Sequence, residues 1–410
     1  MTTTLHATPD VLEVVATTAG MIRDPAVIGP SADGRTRPQS LAGGAVGIAL
    51  LHIERALAGH GDEATAHVWL RATASEPVSA GSNANLFHGA PSLAFVLHTA
   101  QPLGGYRRAF TNLNDAAITI TQSRLAAAHA RIDRGDPLTM REFDLVHGLT
   151  GLGVYHLRAH PNHPITRDVM AYLARITEPL GAHTVQPPWW LPSGLGGSLD
   201  PDFPYGHGNL GVAHGISAVI ALLSLAVLHL HAPPAAQEAL AALCDWIDQH
   251  RQHDDPAGPW WPGYVTTDPI HRWRHRPSWC YGTAGTARAQ QLAGLALHDV
   301  TRQQHAENAM LAVLRDPAQL AALPEIGLCH GKAGLLQAAS RMAAASTDPY
   351  RAAQLAAELP RLAADLATRL AARPVADPEL MNGTAGAALA LHTAGTGTPA
   401  TCWDAFLSLA

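Results

Sequence analysis

The chain has 410 residues, 47% apolar and 15% charged, which suits a large buried core and argues against disorder. A formal net charge of -6, with 24 histidines counted as neutral, offers no basic stripe for a phosphate backbone and argues against nucleic acid as a partner. Four cysteines (Cys244, Cys280, Cys329 and Cys402) are too few for the disulfide scaffold of a small secreted domain, so free or metal-bound thiols are expected.

At the N-terminus, Met1-Thr-Thr-Thr-Leu-His-Ala7 lacks the basic start and apolar segment of a secretory signal, so the expected compartment is the cytoplasm. A short element, often His-Gly-x-x-Gly before an apolar stretch, then recurs along the chain. Its copies are Gly44-Ala-Val-Gly47, His88-Gly89-Ala-Pro-Ser92, His147-Gly148-Leu-Thr-Gly151, His207-Gly208-Asn-Leu-Gly211, Gly282-Thr-Ala-Gly285, His330-Gly331-Lys-Ala-Gly334 and Gly383-Thr-Ala-Gly386. Seven copies at about sixty residues each leave room for two helices and their connections per repeat. The segments after the motifs are small and apolar, as expected of inner helices. The segments between them are amphipathic: over residues 350–371, Leu355, Leu359, Leu362, Leu366 and Leu370 recur at steps of three or four.

Each helix pair buries its inner face only against its neighbours, so seven pairs predict an all-α fold, an α/α toroid, as one domain over residues 1–410. A glycine at each inner-helix start would allow positive φ or close backbone approach. Seven helix N-termini at one mouth would favour anions such as a thiolate or an enolate. The uncharged run from Gly215 to Leu230 is short for a membrane span and reads as a fully buried helix. Two Trp/Pro/Gly-rich stretches, around Trp189-Trp190 and Trp260-Trp261, read as loops whose paired rings cap a core or line a peptide cleft.

Two cysteines fall inside repeat motifs, Cys280 in Trp279-Cys-Tyr-Gly282 and Cys329 in Gly327-Leu-Cys-His-Gly331, with His330 directly after the second. In adjacent repeats these two thiols and one imidazole can converge at the mouth, and three protein ligands with one open position is the catalytic arrangement for zinc. Spacing alone leaves this open, because Cys-His adjacency is not a recognised zinc motif and lone cysteines are usually buried apolar residues.

Together, Trp279-Cys-Tyr-Gly282, Cys329-His-Gly331 and Asn209-Leu-Gly-Val-Ala-His-Gly-Ile216 resemble the lanthionine synthetase C-like family of lantibiotic cyclases, over nearly the whole chain. The resemblance implies a seven-fold α/α toroid with zinc held by Cys280, Cys329 and His330. It also implies catalytic residues at His214, a proton carrier, at Asp144, the acid that sets its orientation or pKa, and at Arg276 and Tyr281, which would stabilise the enolate oxygen. On residue type alone, these four read as a core histidine, a helix N-cap, a surface charge and a core ring. His88, His147 and His207 are expected only to fill the mouth. Two departures from the family pattern, Ser92 for a second glycine and the missing histidine in the first copy, bear on local packing.

The implied reaction is Michael-type addition of cysteine thiols to dehydroalanine or dehydrobutyrine in a dehydrated precursor peptide, giving thioether rings. Zinc would supply thiolate at neutral pH, and His214 would move protons. Such a cyclase makes no dehydroamino acids, so a dehydratase is the implied partner. An exporter could join the assembly and hold the chain at the inner membrane face. Two rivals of other classes are a zinc-containing peptide or glutathione binding scaffold without cyclase activity and a zinc hydrolase. Two thiolates make bound water a poorer acid than three histidines do, which disfavours the hydrolase.

Overall fold

Every expected inner segment is a helix, and each is N-capped by a glycine. In a computed structural model that describes residues 10–29, 37–180, 185–194, 196–254, 258–267, 274–372 and 377–410, these inner helices are α2 (Ala45–Leu57), α4 (Ala90–Thr99), α7 (Leu149–Ala159), α9 (Ile216–Leu228), α11 (Thr283–Ala296), α14 (Lys332–Ala345) and α16 (Thr384–Thr396). Their caps are Gly44, Gly89, Gly148, Gly215, Gly282, Gly331 and Gly383. The N-terminal heptapeptide read for a secretory signal lies outside the described residues, as do Leu195 and residues 255–257 of the two Trp-rich loops.

The fourth copy of the motif is displaced from its expected place. Gly208 and Gly211 start no helix; Gly208 lies in the short strand β1 (Gly208–Asn209), and the inner helix begins at Gly215. The repeat there is Gly215-Ile-Ser-Ala218, with His214 in the position that His88, His147 and His330 occupy elsewhere. The caps also work differently from the expectation of positive φ. Only Gly89 has it, at 75°, while the other six are extended. Glycine is needed because the chain folds tightly back before each helix. At Gly282, for example, a Cβ would collide with the Arg276 carbonyl.

Where the motif carries a second glycine, as in all repeats but the second and fourth, that glycine sets the spacing to the neighbouring repeat. A Cβ on Gly285 would lie 2.7 Å from Val212 Cγ2, and one on Gly386 would lie 2.8 Å from Leu328 Cδ1. Val212 and Leu328 each stand three residues before the cap glycine of the preceding repeat. One repeat's apolar residue thus seats on the next repeat's glycine. Gly386→Ala is therefore expected to destabilise the protein by about 1–3 kcal/mol through overpacking. Gly20→Ala, with open space around the added methyl, should instead be neutral or stabilise by up to about 1 kcal/mol. Chemical denaturation midpoints of the two variants test the opposite signs.

Each inner helix packs on the next, and α16 returns to α2, so the inner ring is closed. The outer helices are α3 (Glu63–Ala72), α5 (Arg107–Arg134), α8 (Pro164–Arg175), α10 (Ala235–Gln249), α12 (Val300–Arg315) and α15 (Pro349–Ala371), and two short helices, α6 (Met140–Phe143) and α13 (Pro317–Ala321), lie in the connections. The seventh outer helix is α1 (Val11–Met21), from the start of the chain, which lies against α16 and α15. The fold is an α/α toroid. Along α15, Leu355, Leu362, Leu366 and Leu370 are buried as their spacing predicted.

Backbone hydrogen bonds stitch the loops at the mouth. Val212 N–H donates to the Cys280 carbonyl, Cys280 N–H to Cys329, Cys329 N–H to Met381 and Met381 N–H to Ala42. At the centre of the ring the C-terminal segment forms a buried plug. The Phe406 ring meets Phe87 and Phe95, and the Leu407 carbonyl accepts from Trp279 Nε1 at 3.0 Å. Strand β4 (Tyr264–Val265) pairs antiparallel with β1, and the hairpin of β2 (Gln252–Asp254) and β3 (Gly258–Trp260) precedes it. Trp189, Trp260 and Trp261 are buried, so they act as core caps rather than as an open cleft wall. Among the described residues no helix is long and apolar enough to cross a membrane.

Candidate functional site

The residues directly before the cap glycines, at the N-terminal ends of the inner helices, are Gly43, His88, His147, His214, Tyr281, His330 and Asn382 in ring order. The two cysteines stand one position earlier, in the fifth and sixth repeats. The hydrogen bond from Cys280 N–H to the Cys329 carbonyl, 3.2 Å, fixes the two loops side by side. The ligand atoms of Cys280, Cys329 and His330 all lie within 4.8 Å of one another, a set that could hold a metal ion.

Hydrogen bonding from Cys329 outweighs burial and draws the Cys280 thiol down to about 4, with His330 and Ser278 adding to the effect, while Cys329 is pushed up by the same contact. His330 is raised by its hydrogen bond to Cys280. Its Nε2 lies 3.5 Å from Glu325 Oε2, and Arg276 Nη1 donates to the same oxygen at 3.1 Å. A carboxylate on the far side of a ligand histidine fixes its tautomer and orientation. Arg276 is half exposed and reaches the cysteine loop through Glu325. Cys244 is fully buried in α10, and Cys402 precedes the C-terminal plug; neither joins this cluster.

A second cluster occupies the third and fourth repeats. Asp144 is fully buried; its Oδ1 accepts the backbone N–H groups of His147 (2.6 Å) and Gly148 (2.7 Å), capping the turn into α7. Its Oδ2 accepts from His214 Nδ1 at 2.6 Å and lies 3.2 Å from His147 Nδ1. Burial pushes this carboxyl up, yet the hydrogen bonds and charge of the two imidazoles together hold it below the ordinary carboxylate range. Asp144 is thus not the helix N-cap its residue type suggests, since Gly148 takes that position; its carboxylate instead holds the turn before α7 and the two histidines. The His147 and His214 rings stack with centroids 5.6 Å apart and an interplanar angle of 16°.

Tyr281 joins the two clusters. It follows Cys280 in the chain, and its ring centroid is 6.3 Å from that of His214. Side chains at Gly211 or Gly263 would collide with or crowd this ring, since a Cβ would come within 2.6 Å and 3.4 Å of it respectively. The Tyr281 hydroxyl accepts from Asn209 Nδ2 at 3.2 Å and also hydrogen-bonds Tyr264, and burial keeps it protonated. Asn209 is itself fixed by a 3.0 Å bond from Gly211 N–H to its Oδ1.

The structure therefore brings Cys280, Cys329 and His330 together, and Asp144 with His214, with Tyr281 between the groups and Arg276 at the edge. Sequence reasoning missed His147 as a partner of Asp144 and also missed Asn209, Tyr264 and Glu325. His207, expected at the mouth, lies beside β1 with its ring against Phe203 and Tyr264.

The comparisons with known proteins agree with this architecture. No curated protein matches the chain. The solved structure of a nisin cyclase superposes with a TM-score of 0.76 at 18% identity, covering 97% of this chain and 96% of that one. A family profile described as lanthionine synthetase C-like protein matches residues 36–408, and the chain belongs to that family.

Proposed function

We propose that the protein is a zinc-dependent lanthipeptide cyclase, adding cysteine thiols to dehydroalanine or dehydrobutyrine in a dehydrated precursor peptide. The observation that carries this reading is the pairing at one mouth of a Cys280–Cys329–His330 donor set with a buried acid–imidazole pair, Asp144–His214. Two soft sulfurs and one imidazole suit zinc, and leave room for an outside ligand. Bound there, zinc would lower the pKa of a substrate thiol so that sulfur is nucleophilic at neutral pH.

The chain's own residues then have separable tasks. His330 is oriented by Glu325, and Arg276 holds that carboxylate in place. When sulfur bonds to Cβ, the Cα=Cβ π pair moves onto Cα and the neighbouring carbonyl oxygen. Tyr281, kept protonated, is the donor able to stabilise that oxygen. His214, with Nδ1 directed to Asp144, presents its other ring nitrogen for proton exchange. Partners follow from the chemistry: a dehydratase must supply the substrate, and an exporter is a further candidate, with the complex working on the cytoplasmic side.

The test is to incubate zinc-loaded protein with a dehydrated peptide and count free thiols by mass spectrometry. Thiols should disappear without mass change. Thiols retained with the peptide bound would favour the scaffold reading, and a gain of water would favour a hydrolase.

A further inference from the structure

The site holds one imidazole more than a single acid–base pair needs. His147 approaches the same Asp144 oxygen as His214, at 3.2 Å against 2.6 Å, and both ring nitrogens involved are Nδ1. Asp144 Oδ1 is occupied by two backbone N–H groups, so Oδ2 is the one oxygen available to the imidazoles. Both rings therefore turn Nδ1 inward and leave Nε2 outward, in parallel, with His147 43% and His214 25% exposed. Ring order adds direction. His214 neighbours Tyr281 and so the cysteine pair, whereas His147 is one repeat further away.

We propose that His147 is a second proton carrier, acting at Cα while His214 acts at the thiol. This rests on the cyclase reading above. The proton balance is complete within the pair. His214 takes the thiol proton, sulfur bonds to Cβ, the π pair moves to Cα, and protonated His147 gives Cα its proton. The two imidazoles end with the charge they began with, and proton exchange with solvent restores their roles. The substrate geometry fits this order, since Cα lies one bond beyond the carbon that sulfur attacks. Placing Cα protonation on one fixed side chain also fixes the face that receives the proton, and with it the configuration of the new centre.

The experiment compares wild type, His147→Asn, His147→Gln and His214→Asn on one dehydrated peptide, against a control without enzyme. It reads initial rate, zinc content and the chirality of the lanthionines after hydrolysis. Both His147 variants should keep zinc, lose at least about tenfold in rate and give mixed configuration at Cα. His214→Asn should be slow but give a single configuration. A structural role for His147 would lower the rate without mixing configurations, and would overturn the inference. So would wild-type rate and configuration in both His147 variants. A second metal equivalent that disappears in His147→Asn would make the Asp144 cluster a metal site and also overturn it. A wild type that forms no rings would sink the cyclase reading itself, a result distinct from all of these.

Discussion

Cys280→Ala and Cys329→Ala should each lose nearly all bound zinc, while Cys244→Ala and Cys402→Ala keep about one zinc per chain. The first two remove one of three donors whose ligand atoms cluster within 4.8 Å; the other two lie outside that cluster. Removing a supporting hydrogen bond around a metal typically weakens binding by about 10–100-fold, and removing a ligand should exceed that. Ring formation should fall with the metal. Elemental analysis after gel filtration provides the check, and full zinc occupancy in both Cys280→Ala and Cys329→Ala would end the zinc assignment. His330→Asn belongs with the first group, because its ring hydrogen-bonds Cys280 directly.

His214→Asn should give the opposite split, keeping the metal and slowing ring closure by about 10²-fold or more, the usual scale for losing a general acid or base. Its imidazole faces Asp144 rather than the cysteines. Asp144→Asn should follow it in activity, because an amide oxygen can still accept from the turn before α7 but carries no charge to hold the two imidazoles. Asp144→Ala should additionally destabilise the fold by about 0.5–2 kcal/mol, because two backbone donors lose their partner. Initial rates corrected for uncatalysed cyclisation, with zinc content measured alongside, separate these outcomes. If His214→Asn closed rings at the wild-type rate, proton transfer would pass to Tyr281 or solvent. If it lost zinc, the ligand set would need revision.

Much of this was legible in the sequence because the repeat puts its chemistry at constant positions. Glycine marks each inner-helix start, and Cys280, Cys329 and His330 stand one or two places before it, so they could be paired across adjacent repeats. The same regularity misled at the fourth repeat. His-Gly occurs at both 207–208 and 214–215, and only the pairing of Asn209 with Tyr264 shows that the first belongs to a strand. Tyr264 and Glu325 sit in segments with no periodic signal, and their roles depend on contacts across loops. The seventh outer helix was invisible for another reason: α1 meets α16 across almost the full length of the chain, and local patterning carries no trace of such a partner. His147 was visible as a mouth residue, but that it shares a carboxylate with His214 is a fact of three dimensions.

Damage spreads through a closed ring of inner helices differently than through an open array. An open array of helical repeats has two ends, and its terminal repeat can unravel while the others stand. Here Met381 donates to Ala42, and α1 covers α16, so the circle has no terminal repeat to peel away. Losing any one repeat opens two seams at once. The seam between the fifth and sixth repeats is also the one that sets Cys280 and Cys329 beside each other, so a defect on the far side of the ring is expected to disturb the donor set proposed for the metal.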